Sequence, residues 1–128
     1  KGITIAGKPL RDHLEALDHY EAIGLARDRA RSDQPIRQAD IRALHAMVLR
    51  RSQPEVGGRY ADQGRFVRTP EGDHAFPNPA EVPALMEAFA DWLRDAERSY
   101  VTAFEAHRRL VAVQPFNDGN GRTAGLLM

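Results

Sequence analysis

Residues 114–122 read Gln114-Pro115-Phe116-Asn117-Asp118-Gly119-Asn120-Gly121-Arg122. Ordinary core packing does not call for such a string. Pro115 closes whatever helix precedes it, and Phe116 is an apolar anchor in an otherwise polar loop. Gly119 and Gly121 let the backbone approach a ligand closely or take angles other residues avoid. From Thr123 onward the pattern turns helical again, so free amides feed a helix start, an arrangement that suits a phosphate. Arg122 offers a fork of donors for phosphate oxygens, and Asp118 a carboxylate for a divalent cation bridging them. A purely structural glycine-rich turn is the plain alternative. The spacing lacks the lysine of a P-loop, so ordinary ATPase chemistry is not supported.

Working outward, 128 residues with 42% hydrophobic and 28% charged composition imply one globular domain with its own core. The 18 basic and 18 acidic residues cancel, which argues against charge-driven nucleic-acid binding. No helix pair carries the concentrated basic face of a helix-turn-helix. With no cysteine, a disulfide scaffold, a thiolate zinc site and a cysteine nucleophile are excluded. No apolar run approaches the roughly 18 residues of a membrane helix and no signal peptide is seen, so no membrane partner is expected and the cytoplasm is the default compartment. Lys1 is not an initiator Met, and the chain stops within the apolar run Leu126-Leu127-Met128, so the expectation is a single domain over 1–128 cut at both ends.

The apolar spacing predicts four helices before the loop. After an extended lead-in over residues 1–8, Pro9 suits the start of a helix running to about residue 30, through Leu10, Leu14 and Leu17. A second is expected over about 38–51, with Ile41, Leu44, Val48 and Leu49 inward and His45 beside them as a packed or surface histidine. The third follows Pro79, with Val82, Leu85, Met86, Phe89, Trp92 and Leu93 on one face. The fourth begins near Ser99, with Tyr100, Ala103, Phe104, His107, Leu110 and Val111 sharing a face and His107 a buried structural residue. Between the second and third, residues 52–80 hold too many Gly and Pro for a helix. There, 64–68 and 74–76 read as a hairpin around a loop of about five residues, 69–73. Two strands cannot stand alone, so the hairpin must rest on the helices or reach a partner, and its edge can template an extended peptide.

The string from Pro115 to Arg122 resembles the signature loop of the Fic domain family (Fic/Doc fold). Residues 106–111 before it, 122–124 and 126–128 after it, Gly57-Gly58-Arg59-Tyr60, Val82-Pro83-Ala84-Leu85-Met86 and Ile5-Ala6-Gly7-Lys8-Pro9-Leu10 also resemble family segments. The likeness implies an all-α Fic-type helical bundle with a small β-hairpin flap at about 57–78. It implies a protein adenylyltransferase, moving AMP from ATP to a hydroxyl of a target protein with release of pyrophosphate. It further implies Mg²⁺ on Asp118, phosphates on Asn117, Gly119, Asn120, Gly121 and Arg122, and Phe116 as loop anchor. The target would dock as an added strand on a flap comprising Arg65, Phe66, Val67, Arg68, His74, Ala75 and Phe76.

Two positions depart from the family pattern. Gln114 stands where the family has its general-base histidine, and glutamine cannot hold a proton at ordinary pH. Gly125 stands where the family has a second arginine aimed at the outer phosphates. The likeness therefore implies an adenylyltransferase impaired as written. The alternatives are an inactive nucleotide- or protein-binding module, or a variant transferring or removing another phosphate-containing group. The family's inhibitory-helix pattern is absent from residues 1–128, so an inhibitory helix or antitoxin-like partner would lie outside this chain. A homodimer stays open, as does delivery as an effector into another cell's cytoplasm.

Overall fold

The computed structural model describes residues 4–5 and 8–127. Of the expected lead-in, residues 1–3, 6 and 7 lie outside the described residues, as does Met128 of the terminal apolar run. The helices are α1 (Leu10–Ala30), α2 (Gln38–Val48), α3 (Val82–Asp95), α4 (Tyr100–Val113) and α5 (Asn120–Gly125). Two antiparallel pairs accompany them: β1 (Thr4–Ile5) with β2 (Lys8–Pro9), and β3 (Phe66–Thr69) with β4 (Gly72–Ala75). The architecture is a helical bundle bearing the small β3–β4 hairpin that the resemblance implies, with the short β1–β2 pair added before α1.

Local chemistry explains most boundaries. Pro9 is the N-cap of α1, and Pro83 sits in the first turn of α3 where its missing N–H needs no partner. Ser99 caps α4 by accepting from the Thr102 N–H. Helix α2 stops at Val48, three residues short of the expected end. The cause lies on α1: fully buried Asp18 accepts the N–H groups of Arg51 (2.9 Å) and Ser52 (3.3 Å) and also pairs with the Arg51 guanidinium. Those amides would otherwise continue the helix.

The hairpin is tighter than expected. Thr69 faces Gly72 and Phe66 faces Ala75, leaving only Pro70 and Glu71 in the turn. Gly72 takes φ +118°, a conformation side chains resist, which lets the strands close sooner.

One core runs through Ile41, Val82, Met86, Phe89, Leu110, Phe116 and Ala124, joining α2–α5 and the loop. A smaller one joins Ala22 of α1 to Val48 and Leu49. The expected inward face of α4 needs correction. Ala106 and Leu110 are buried, whereas Tyr100 is 89% and Phe104 65% exposed, because they lie on the opposite side of the helix from Thr102, Ala103 and Ala106, which border a cleft with Arg29, Ala30 and Leu93. His107 is half-buried.

Candidate functional site

The site starts from a strained residue. Gln114 ends α4 at φ 49°, ψ 63°, the one non-glycine positive φ among the described residues. Such a conformation costs roughly 1–2 kcal/mol for an L-residue, so the surroundings must fix it. Arg65 does so from the flap. Its guanidinium is buried and donates to the carbonyls of Gln114 (2.8 Å), Val113 (3.0 Å) and Gln63 (3.3 Å). It satisfies carbonyls that the end of α4 leaves open. Burial lowers the pKa of Arg65 from its ordinary value.

The Gln114 side chain is fixed as well. Its Nε2 donates to Val111 O (3.0 Å), and its Oε1 accepts from Asn120 Nδ2 (3.1 Å). Asn120 in turn accepts the Phe116 N–H (2.8 Å) and donates to Phe116 O (2.6 Å). A near-buried amide with all these partners braces the loop, and Asn120 also lines the hollow beside Asp118. Asn117 is also turned aside. It accepts from the N–H groups of Asp62 and Gln63 and donates to Asp62 Oδ1 at 2.8 Å, tying the loop to the base of the flap.

Phe116 is fully buried, and the imidazole of His45 lies against it. His45 Nδ1 accepts the Gly58 N–H (2.9 Å), so Nε2 carries the proton and donates to Asp118 O (2.8 Å). Sequence reasoning took His45 for an ordinary packed residue. The signal that could have found it is a histidine on the α2 stripe in a chain with Gly57-Gly58 a short loop later. Burial lowers its pKa most, outweighing the carbonyl it bonds, and Arg122 adds to the lowering.

What faces outward is Asp118 and, in part, Arg122. Gly119, at φ +79°, turns its N–H back to Asp118 Oδ1 (2.8 Å), and Gln53 donates to Oδ2 (2.9 Å). Gln53 was missed in the sequence. Its hydrogen bond is the main reason the Asp118 carboxyl lies below its usual range, and the charges of Arg122 and Arg11 contribute. Gln114 and the run Asn117, Asp118, Gly119, Asn120, Gly121 and Arg122 line an open hollow of about 320 Å³. The hollow is polar, and a single oriented carboxylate beside an arginine fits an Mg²⁺ held jointly by protein and phosphate. No cluster of three or more metal-ligating side chains occurs among the described residues.

The flap stands clear of the body. Every residue of β3 and β4 is exposed, with Phe66 at 59% and Val67 at 47%. Of the flap set, Arg68, His74 and Ala75 face solvent with them and Phe76 is half-buried, its N–H donating to Arg65 O at 2.9 Å. Arg65 departs from the set, because its side chain is turned into the body.

A sequence model described as the Fic/DOC family matches residues 35–128. The protein adenylyltransferase Fic of Nematostella vectensis is 37% identical over 98% of this chain and 30% of its own length. That of Drosophila willistoni is 34% identical over 98% of this chain and 25% of its own. This chain thus spans about a third or less of those relatives. A crystal structure of a Fic domain containing signaling protein from Bacteroides thetaiotaomicron superposes with a TM-score of 0.86 at 27% identity, over 98% of this chain and 49% of that one. Fic-1 from C. elegans gives a TM-score of 0.79 at 31% identity, over 98% and 37%. No helix among the described residues is long and apolar enough to cross a membrane.

Proposed function

The chain belongs to the Fic/DOC family, and from that premise we propose that it is a protein adenylyltransferase domain held back at its proton-transfer step. The observation that carries this reading is the division of labour in the loop. Asp118 and Arg122 border the hollow, while the Gln114 amide is engaged on both sides by Val111 and Asn120.

In this reading ATP is the substrate and Arg122 binds its phosphates. Asp118 would hold Mg²⁺, with Gln53 and the Gly119 N–H orienting its two oxygens. The cation would neutralise phosphate charge and align the oxygens for in-line displacement. A target hydroxyl oxygen would bond to the α-phosphorus as the bond to pyrophosphate breaks, and the hydroxyl proton must leave. Gln114 can accept a hydrogen bond from that hydroxyl but cannot take its proton, a deficit of about 10²- to 10⁴-fold. His45 does not substitute for it, since both ring nitrogens are engaged behind Phe116.

The target would register its backbone along the exposed edge of β3 or β4, beside Phe66 and Val67. Restraint by an inhibitory helix or an antitoxin-like partner would come from outside residues 1–128. The cytoplasm, of its own or of another cell, is the compartment this chemistry suits.

The test is transfer of label from α-³²P-ATP with Mg²⁺ to the protein and to a lysate. The unmodified chain is compared with Gln114→His and with Gln114→His plus Gly125→Arg. Labelling by the restored forms alone supports the proposal, with the double variant faster. Labelling by the unmodified chain would mean another base operates. The engaged Gln114 amide favours one second reading, a nucleotide- or protein-binding module. Mg²⁺-dependent ATP binding without transfer by any of the three forms would favour it.

A further inference from the structure

Arg11 and Arg122 come from opposite ends of the chain and face one carboxylate oxygen. Arg11 Nε donates to Glu15 Oε2 at 3.3 Å, and Arg122 Nη1 stands 4.0 Å from that same oxygen. That Nη1 is buried and makes no hydrogen bond. A guanidinium nitrogen removed from water without a hydrogen-bond acceptor is a costly state. At 4.0 Å Glu15 offsets its charge without accepting from it. Glu15 thus sits between two cations and saturates only one of them.

The surroundings extend the pattern. Gly125, one turn beyond Arg122, brings no side chain, and a Cβ placed there would meet nothing within 4 Å. On α1, Arg11 lines a cleft of about 520 Å³ with Leu10, Leu14 and Gln53. Gln53 is the residue whose amide reaches Asp118, so this cleft adjoins the loop. Arg51, also on the cleft, is bound to Asp18 and Glu21. Arg11 is therefore the more available cation there, its side chain 63% exposed and held by one contact that solvent weakens. Its charge already reaches the Asp118 carboxylate.

We propose that Arg11 and Arg122 together form the site for the terminal phosphates of a nucleoside triphosphate. Arg11 supplies from α1 the cation that Gly125 does not supply from α5, and Glu15 is the internal anion that a phosphate oxygen displaces. Two planar forks approaching from different elements suit a diphosphate, which offers oxygens to each. The inference rests on the nucleotide-transfer reading above and adds which residue of this chain reads the outer phosphates.

The experiment is calorimetric titration of the chain with ATP, AMP and pyrophosphate in Mg²⁺. It compares the unmodified protein with Arg11→Ala, Arg11→Lys and Glu15→Gln, each first checked by thermal melting. Arg11→Ala is expected to weaken ATP and pyrophosphate on the order of tenfold while AMP changes by less than about twofold. Arg11→Lys keeps the charge and should fall between. Glu15→Gln should tighten ATP severalfold. ATP binding unchanged in Arg11→Ala overturns the inference and leaves the nucleotide reading standing. Equal losses for ATP and AMP overturn it too, since Arg11 would then be acting on the loop. Weaker ATP binding in Glu15→Gln removes the displaced-anion role. Failure of the unmodified chain to bind ATP at all overturns both readings.

Discussion

The imidazole of His45 lies flat on the ring of Phe116, with centroids 3.6 Å apart and an interplanar angle of 6°. One ring on α2 thereby holds the loop twice, by stacking on Phe116 and by donating to Asp118 O, and ties it to the base of the flap by accepting from Gly58 N–H. Replacing it with alanine leaves a cavity and two backbone groups without partners. His45→Ala should cost about 3 kcal/mol in urea unfolding. His45→Phe keeps a ring on Phe116 but not the hydrogen bonds, so its loss separates the two contributions. Near-zero loss in both would refute the clamp.

The same geometry fixes a tautomer and a pH response. His45 should carry its proton on Nε2 only, visible in the ring nitrogen shifts, and stay neutral below the pH at which an unperturbed histidine protonates. Burial holds the folded pKa below the ordinary histidine value of about 6.5, so the unfolded state binds more protons between the two values. Stability is then present above about pH 6.5 and is lost as pH falls through the folded value. Thermal melts from pH 7.5 downward should show a decline that His45→Phe flattens.

Asp18 is fully buried and accepts from the backbone of residues 51 and 52 and from the Arg51 guanidinium. Asp18→Ala strands these donors, and a loss of about 2–3 kcal/mol is expected, with part of the Arg51 share screened by solvent. Chemical denaturation measures it. A loss under about 0.5 kcal/mol would show that the α1–α2 junction holds without the carboxylate.

Two glycines should respond in opposite directions. At Gly125 an added Cβ meets open space on a helix, so Gly125→Ala should stabilise by up to about 1 kcal/mol. At Gly119 the φ is +79° and a Cβ would come within 3.4 Å of His45 Nε2, so Gly119→Ala should destabilise by about 1–2 kcal/mol. Paired melting curves decide both signs.

Arg65 joins the flap to the end of α4 through two carbonyls, those of Gln114 and Val113. In Arg65→Ala, amide exchange at Phe76 and along β3–β4 should accelerate at least about tenfold, with most of the bundle unaffected. Arg65→Lys should not restore protection, because an ammonium cannot span the carbonyls as a planar fork does. Unchanged exchange in the alanine variant would mean that the flap is held elsewhere.

Much of this protein was readable from the residues alone. The helical face of α3 follows from apolar spacing, and the starts of α3 and α4 from Pro83 and Ser99, because those rules operate within a turn or two of chain. On α1 the spacing misleads, since Leu17 is 51% exposed while Asp18 beside it is fully buried. The loop at 114–122 was legible because its glycines, carboxylate and arginine are contiguous. The early end of α2, the two-residue hairpin turn and the outward side of α4 that carries Tyr100 and Phe104 were not. Each depends on a partner or packing limit that local spacing does not encode, such as Asp18 reaching Arg51 and Ser52 from α1.

The same division holds at the site. Sequence by itself determined which groups the loop owns: Asp118, Arg122, an apolar Phe116, and a glutamine, which does not titrate, at position 114. Only the tertiary structure decided what each group does. It put Asn120 and Asn117 to bracing, turned Arg65 inward, and brought His45, Gln53 and Glu15 to the loop from 73, 65 and about a hundred residues away. Hydrogen bonds and ion pairs act over a few ångströms of space whatever the separation along the chain. A pattern read within one window therefore names the reactive groups but not the residues that orient them.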